Sequence, residues 1–440
     1  MLNLENRRVA IIGGKRSGIA LARLINRLGG KPKISDHGHP EHINPKIREW
    51  LDTYEIPSEF NGHTQRFIED SDLVILSPGV RLDAPPVKWA ERRGLPVLGE
   101  IEFAYQFCPV PIVAVTGSNG KTTTATLIKD VIEASGKKAC LCGNVGLPFS
   151  EFVLDLENMD YVVLEISSFQ LESLLDPQSP FRTGNNKAEF RFRGFKPFVA
   201  VILNFSQNHL DRHKDLDEYF NAKKRIFLNQ DNHDFAVLNY QSDRLRRLDS
   251  QLESKVVFFD DPRKSSPSGI KNPNHLAVIE AARILGIDER VCLNVFKDFK
   301  GVEHRLEWVR NLDGVDYFND SKATTAEATG WALQNLTRPV VMICGGRDKN
   351  IDFSVLASLV QKKVKKMIVI GEARAKIKRA FDRVVTVEEC DSLDAAVNKA
   401  KGIAVPGDCV VLSPMCASFD MFKDYEDRGR IYKQIVHQLS

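Results

Sequence analysis

The chain has 440 residues, 43% of them hydrophobic and 27% charged, with a formal charge of +3 from 61 basic and 58 acidic side chains. That length calls for two or three cores, and the composition excludes a disordered or collagen-like chain. Charges so nearly balanced argue against nucleic acid or an anionic membrane surface recognised by bulk electrostatics.

The amino end, MLNLENRRVAIIGG, places charges before a short apolar run that closes in glycines, unlike a signal peptide. No apolar run reaches the roughly 20 residues of a membrane span. The eight cysteines show neither a CxxC pair nor the His/Cys spacing of a zinc site. The expectation is a cytoplasmic chain with free thiols, and a monomer, since no heptad run or apolar stripe asks for a partner.

Three segments restart one pattern of apolar strand, glycine turn and helix, which predicts an α/β chain of three domains with parallel strands. The first strand is Arg8 to Ile12, and its Rossmann-like domain covers 1–99. Its turn, Gly13-Gly14-Lys15-Arg16-Ser17-Gly18, has a lysine where a dinucleotide fingerprint has its middle glycine, which argues against NAD. The central domain, 100–301, begins with Pro111 to Val115 and carries a mainly parallel sheet. The third, Rossmann-like, covers 302–440; it opens on the charged turn GVEHRLEW and contains Val340 to Ile343 running into Gly345 and Gly346.

In the central domain, Thr116 to Thr123 reads TGSNGKTT. Gly117 and Gly120 permit backbone angles that turn N–H groups inward. The helix expected near Thr123 adds its positive end, Lys121 reaches the β- and γ-phosphates, and Thr122 is placed to ligate Mg²⁺. Ser118 and Asn119 complete the loop. Val115 stands where a strict P-loop has its first glycine, so this is a shorter variant; the alternative is a plain glycine turn. Tyr161 to Leu164 predicts a buried strand ending at Glu165, either a magnesium-holding carboxylate or a solvated strand end. The stretch from about Asp176 to Lys196 reads as a loop insertion whose Phe181, Phe190, Phe192 and Phe195, interleaved with arginines, pack among themselves at the surface, the alternative being a site for an anionic partner. Asn186-Lys187-Ala188-Glu189 within it only superficially matches a guanine-reading signal. The strand FVAVILN then leads to Asn208-His209-Leu210-Asp211-Arg212-His213 at another C-terminal strand edge, where ligands collect. His209 there reads equally as a ligand or as a structural histidine.

TGSNGKTT, LEISSFQLE at 164–172, NHLDRH at 208–213 and the Ala222-Lys223 pair resemble the Mur ligases and their folylpolyglutamate-synthetase relatives. GNVGLP at 143–148, NDSKATT at 319–325 and LSPMCASFDMFKDYEDRG at 412–429 narrow the resemblance to the D-glutamate-adding branch. It implies an ATP-dependent ligase that joins D-glutamate to UDP-N-acetylmuramoyl-L-alanine through an acyl phosphate, with two magnesium sites, in peptidoglycan precursor synthesis. A sister ligase, a folylpolyglutamate synthetase or a ligase-derived interaction protein is the alternative.

The resemblance assigns Thr122 and Glu165 to the first magnesium, and His209 to the second and to the nucleotide sugar. It implies a carbamylated Lys223, with Lys224 as rival. Asn144 would meet the muramoyl-alanine moiety, and Asn272, Arg305 and Asp320 would hold ATP, with His304 beside them. Lys322 and Thr324 lie beside these residues in matching motifs as substrate contacts, and Lys349, Ser418, the Phe419 backbone and Tyr425 would surround D-glutamate. The UDP moiety would use Ser17 and Gly18 near the diphosphate, Asp36 and His37 near uridine, and Gly79. His275 replaces an asparagine of the family frame near adenine.

Overall fold

The computed structural model describes residues 2–40, 45–179, 190–206, 209, 212–263, 269–348 and 351–440. The chain packs as two compact units, Met1–Phe299 and Lys300–Ser440.

The first unit holds two parallel sheets. One is built from β1 (Arg8–Ile12), β2 (Lys31–Ser35), β3 (Ser58–Glu59), β4 (Leu73–Leu76) and β5 (Val97–Gly99), in the order β3-β2-β1-β4-β5. The second uses β6 (Ile112–Thr116), β7 (Ala139–Gly143), β8 (Tyr161–Glu165), β9 (Val199–Ile202), β10 (Phe235–Asn239) and β11 (Lys255–Phe259), in the order β11-β10-β9-β6-β8-β7. Helices cover both faces, so central strands such as LVIL and IVAVT read as unbroken apolar or small runs without alternation. β2, KPKIS, escapes that signal. Its Lys33 is buried, and the ammonium is held by the carbonyls of Phe67 and Asp70.

A single apolar core joins the two sheets. The helix Arg16–Arg27 lays Ile19, Leu21 and Ile25 into the cluster that also contains Phe149 and Val153 of the central sheet's side. Surface pairs follow the same seam, with Arg23 on Glu151 at 3.0 Å and Arg27 on Asp155 at 2.8 Å. Such exposed pairs add at most about 1 kcal/mol each, so apolar burial carries the junction.

The insertion departs from its expected surface position. Phe190, Phe192 and Phe195 are buried in the shared core. Arg193 hydrogen-bonds its backbone N–H to Gln106 Oε1 at 3.0 Å and its guanidinium to the Cys108 carbonyl at 2.8 Å, and the Phe195 N–H reaches Glu102 Oε1 at 3.3 Å. Phe190 and Phe192 are buried and Arg191 and Arg193 exposed, a two-residue alternation, and the bonds from Arg193 and Phe195 strap the segment onto the helix Glu100–Tyr105 and the residues after it. Phe181 and Asn186 to Glu189 lie outside the described residues.

The second unit is a mixed sheet of β12 (Glu307–Leu312), β13 (Val315–Asn319), β14 (Val340–Gly345), β15 (Val364–Ile370), β16 (Val387–Glu389) and β17 (Cys409–Leu412), in the order β12-β13-β17-β14-β15-β16. β12 and β13 are antiparallel, joined at Asp313-Gly314, whose φ angles of 51° and 80° suit the hairpin turn that this pair favours. Its other neighbours pair parallel. Among the described residues no helix is long and apolar enough to cross a membrane.

Candidate active site

β6 lies between β8 and β9, so the C-terminal ends of three adjacent strands converge on Thr116 to Gly120. Gly117 and Gly120 take φ angles of 156° and 80°. A Cβ on Gly120 would come within 2.6 Å of Asn274 Oδ1, so a side chain there meets both strain and a neighbour. Asn204, just past β9, accepts from the Asn119 N–H at 2.9 Å and donates to the Asn119 carbonyl at 3.1 Å. Ser118 Oγ donates to the Ser206 carbonyl at 3.1 Å. The helix starts at Lys121, two residues before the expected point, and has no acid in its first turn to compete for its positive end.

Two lysines meet at this loop. Lys121 Nζ donates to the carbonyls of Gly117 and Ser118 at 2.9 and 3.1 Å, and Lys223 Nζ donates to the same Gly117 carbonyl at 3.0 Å. Lys223 is 1% exposed and lies over the Tyr219 ring at 4.6 Å. Burial first, and the Lys121 charge second, push its ammonium well below the usual lysine range. Lys224 turns outward, donating to Gln251 Oε1 at 2.7 Å. Glu165 and Thr122 are both buried at the loop, and Glu165 pairs in register with Val115 of β6. Asn144 Nδ2 donates to Glu165 Oε1 at 2.8 Å. A buried carboxylate and a hydroxyl beside a phosphate loop form the hard oxygen set that magnesium takes.

His209, in the left-handed region at φ 56°, stacks edge-on with Phe169 at 4.9 Å and Tyr219 at 5.8 Å. Its neighbours Asn208 and Asp211 lie outside the described residues. Arg212 pairs with Glu172 and donates to the carbonyls of Gly79 and Val80 at 3.0 and 2.8 Å, tying the first sheet's SPG turn to the second sheet's strand edge. His213 is buried against Ser168 Oγ at 3.1 Å.

A cavity of about 580 Å³ opens where the first sheet reverses its strand order, between the ends of β1 and β4. Its lining includes Ser17, Asp36, His37, Gly79 and Asn144, together with Ser77, His63 and Gln170. Gly18 packs so tightly on the first turn that a Cβ would overlap the Gly13 carbonyl at 1.9 Å. Asn144 both lines this cavity and holds Glu165, so one side chain links the cavity to the carboxylate beside the phosphate loop.

Asn272 caps the helix Pro273–Ile284, accepting from the Asn274 N–H at 3.0 Å. His275 stacks on Phe296 at 4.1 Å.

In the second unit, Asp320 follows β13 and is buried. Ser413 Oγ donates to it at 2.7 Å and the Leu306 N–H at 3.1 Å, yet burial outweighs both and pushes its carboxyl up to about 7. His304 takes φ 64° and accepts from Asn319 Nδ2 at 2.9 Å; a Cβ on Gly429 would strike its ring at 2.2 Å. Arg305 follows it and supplies positive charge toward Asp320. Glu303, His304 and Glu307 form a metal-like triplet, but the Lys433 ammonium bridges the two glutamates at 2.6 and 2.9 Å. Lys322 lies over Tyr425 at 5.4 Å, the Thr324 N–H bonds the Lys322 carbonyl at 2.9 Å, Ser418 is buried and Phe419 is exposed. Lys349 lies outside the described residues.

Sequence reading gives no role to Asn204, Asn274 and His63, because a single polar residue in a turn or helix carries no spacing signal, and it quotes Arg212 and Arg428 only as members of longer motifs. Arg428 is almost fully buried and donates to Ser321 Oγ at 3.0 Å and to the carbonyls of Ser321 and Cys416 at 2.9 and 3.2 Å. It draws NDSK and SPMCAS together.

Three family models match: a Mur ligase MurD-like N-terminal domain over 7–99, a Mur ligase middle domain over 115–180 and 183–276, and a Mur ligase glutamate ligase domain over 304–416. The UDP-N-acetylmuramoylalanine–D-glutamate ligase of Koribacter versatilis is 37% identical over 100% of this chain and 99% of that protein. The same-named ligase of Chloroherpeton thalassium is 37% identical over 99% of both. The fold is shared with UDP-N-acetylmuramate-alanine ligase MurC of Thermotoga maritima, with TM-score 0.59, 19% identity and coverage of 98% and 99%. E. coli FolC, solved with ADP, follows at TM-score 0.57 and 14% identity, over 81% of this chain and 99% of that one.

Proposed function

Because the chain belongs to the Mur ligase family, we propose that it joins D-glutamate to UDP-N-acetylmuramoyl-L-alanine, with ATP converted to ADP and phosphate, in peptidoglycan precursor synthesis. The observation that carries this reading is Asn144, which lines the cavity at the first sheet's switch point and donates to Glu165 beside the phosphate loop. An anionic carboxylate and a polyphosphate are thereby offered one meeting place.

A carboxylate does not react with an amine in water, so it is activated first. The L-alanyl carboxylate attacks the γ-phosphorus of ATP, the bond to the bridging oxygen breaks, and ADP leaves an acyl phosphate. The loop N–H groups and Lys121 bind and orient the transferring phosphoryl group. The amine of D-glutamate, once it has lost its extra proton, attacks the acyl carbon, and phosphate departs with its electron pair.

Thr122 and Glu165 would hold one magnesium, and His209 with a carbamylated Lys223 a second; such ions neutralise charge gathered on phosphate oxygens. Carbamylation needs an uncharged amine, which adds to CO₂ with release of a proton, and the depressed ammonium of Lys223 supports that step. Asn272, Arg305 and Asp320 are assigned to ATP. Lys349, Ser418, the Phe419 N–H and Tyr425 are assigned to D-glutamate, Lys322 and Thr324 to substrate beside the ATP residues, with Ser17, Asp36, His37 and Gly79 on the UDP moiety.

Phosphate release from ATP measured with each substrate omitted in turn tests the reading. Release is expected only with both the nucleotide sugar and D-glutamate present. Equal release with L-glutamate, or none with this nucleotide sugar, would overturn it.

A further inference from the structure

The first-sheet cavity is lined by His63, which belongs to a hydrogen-bond relay with Ser35 and Glu59. Ser35 ends β2, Glu59 ends β3, and the two are in register. Glu59 Oε1 accepts the Ser35 hydroxyl at 2.5 Å and the Thr64 N–H at 3.0 Å, while Oε2 accepts the Thr64 hydroxyl at 2.7 Å. A carboxylate has no proton to give, so the Ser35 hydrogen points at Glu59 and the Ser35 oxygen offers only lone pairs elsewhere. His63 Nδ1 lies 2.6 Å from that oxygen, so Nδ1 carries the ring proton. Burial lowers His63 from the usual imidazole range, against the pull of Glu59 and Asp36, which favours the neutral ring. Nε2 is then an acceptor on a half-buried residue that lines the cavity.

Position in the sheet says what this acceptor meets, given the reading of the cavity as a nucleotide-sugar site, on which the inference rests. A diphosphate belongs at the switch point between β1 and β4, where the helix Arg16–Arg27 begins. A ribose then extends over the end of β2. There Asp36 is already bound to the N–H groups of Gly14 and Gly38 at 2.5 and 2.6 Å, with lone pairs left for a hydroxyl. The base falls beyond, over the end of β3, beside His63. His37, the other side chain expected near uridine, is 85% exposed.

We propose that His63 Nε2 accepts the N3–H of uracil, with Ser35 and Glu59 fixing the ring's tautomer, and that this contact selects uracil over cytosine. Uracil presents a donor at N3 where cytosine presents a lone pair, so cytosine would set acceptor against acceptor. A site built for one hydrogen-bond polarity rejects the other more strongly than shape alone does.

Calorimetric titration of the full-length protein with UDP, CDP and 2′-deoxy-UDP tests this. UDP is expected to bind at least about 30-fold tighter than CDP, and His63→Leu to narrow that gap to about threefold, with the 2′-deoxy penalty unchanged. Ser35→Ala keeps His63 but releases its tautomer, and should narrow the gap by a smaller factor. An unchanged UDP/CDP gap in either variant overturns the relay, so the Ser35→Ala result decides even where His63→Leu fails to fold. Loss of the 2′-deoxy penalty in His63→Leu would move the contact to the ribose and overturn the uracil assignment. Wild-type protein that binds no UDP would sink the cavity reading and the inference together, whereas UDP binding with an unaltered gap sinks the inference alone.

Discussion

Among the described residues, Lys223 in the first compact unit and Arg428 in the second are lysine and arginine side chains only 1% exposed, and the two are handled in opposite ways. Lys223 in the first unit has, among the described residues, one hydrogen bond, to the Gly117 carbonyl it shares with Lys121. Arg428 in the second spreads five N–H bonds over Ser321, Cys416, Ala417 and Gly345. Burial lowers both, Arg428 to about 10 and Lys223 well below the lysine range. An amine can respond by shedding its proton, whereas a guanidinium remains charged and must be satisfied in place. A buried cation with few partners therefore points to chemistry, and one with many points to architecture.

That contrast is most exposed to failure at the phosphate loop. Lys223→Ala and Lys121→Ala should each lower turnover by at least about a thousandfold while leaving circular dichroism and melting cooperativity in place. In ¹³C-bicarbonate, wild-type protein should show a carbamate carbon resonance that Lys223→Ala lacks and Lys224→Ala keeps. A signal that follows Lys224 would reverse the pairing.

Arg428→Met should act on stability, at about 3 kcal/mol in denaturant titration, because several buried carbonyls lose their donors at once. Arg428→Lys should recover only part of this, since an ammonium cannot reproduce the planar fork. Wild-type stability in Arg428→Met would end the architectural reading.

Asp320 gives a subtler test. Its carboxyl is held near 7, above the ordinary 3.8, so the stability it contributes is complete below about pH 4 and is lost as pH rises through 7. Asp320→Asn should flatten that part of the stability–pH curve, read as denaturation midpoints between pH 4 and 8. An unaltered slope would mean that other groups govern it. The smallest expected change is in Lys224→Ala, within about twofold of wild-type turnover, as for an exposed side chain with one hydrogen bond.

The phosphate loop was legible because its function demands residue types at fixed spacing: glycines where φ is positive, then lysine and threonine at a helix start. β1, β6 and β8 were legible because strands buried on both faces are continuous apolar runs. β2 was not, since Lys33 interrupts it and only its two carbonyl partners make that lysine tolerable. The insertion was misjudged for a related reason. Alternating phenylalanine and arginine shows that one face is apolar, but not that the helix Glu100–Tyr105 waits to cover it.

Taken alone, the sequence determined the three α/β segments, the phosphate loop and the family motifs, since each is written in neighbouring residues. Tertiary structure decided which of Lys223 and Lys224 faces the loop, that Asn144 grips Glu165, which way the Glu59–Ser35–His63 relay runs, and that Arg428 binds two distant motifs. Those outcomes depend on which elements pack together and how far water is excluded from them, and no local pattern of residues encodes either.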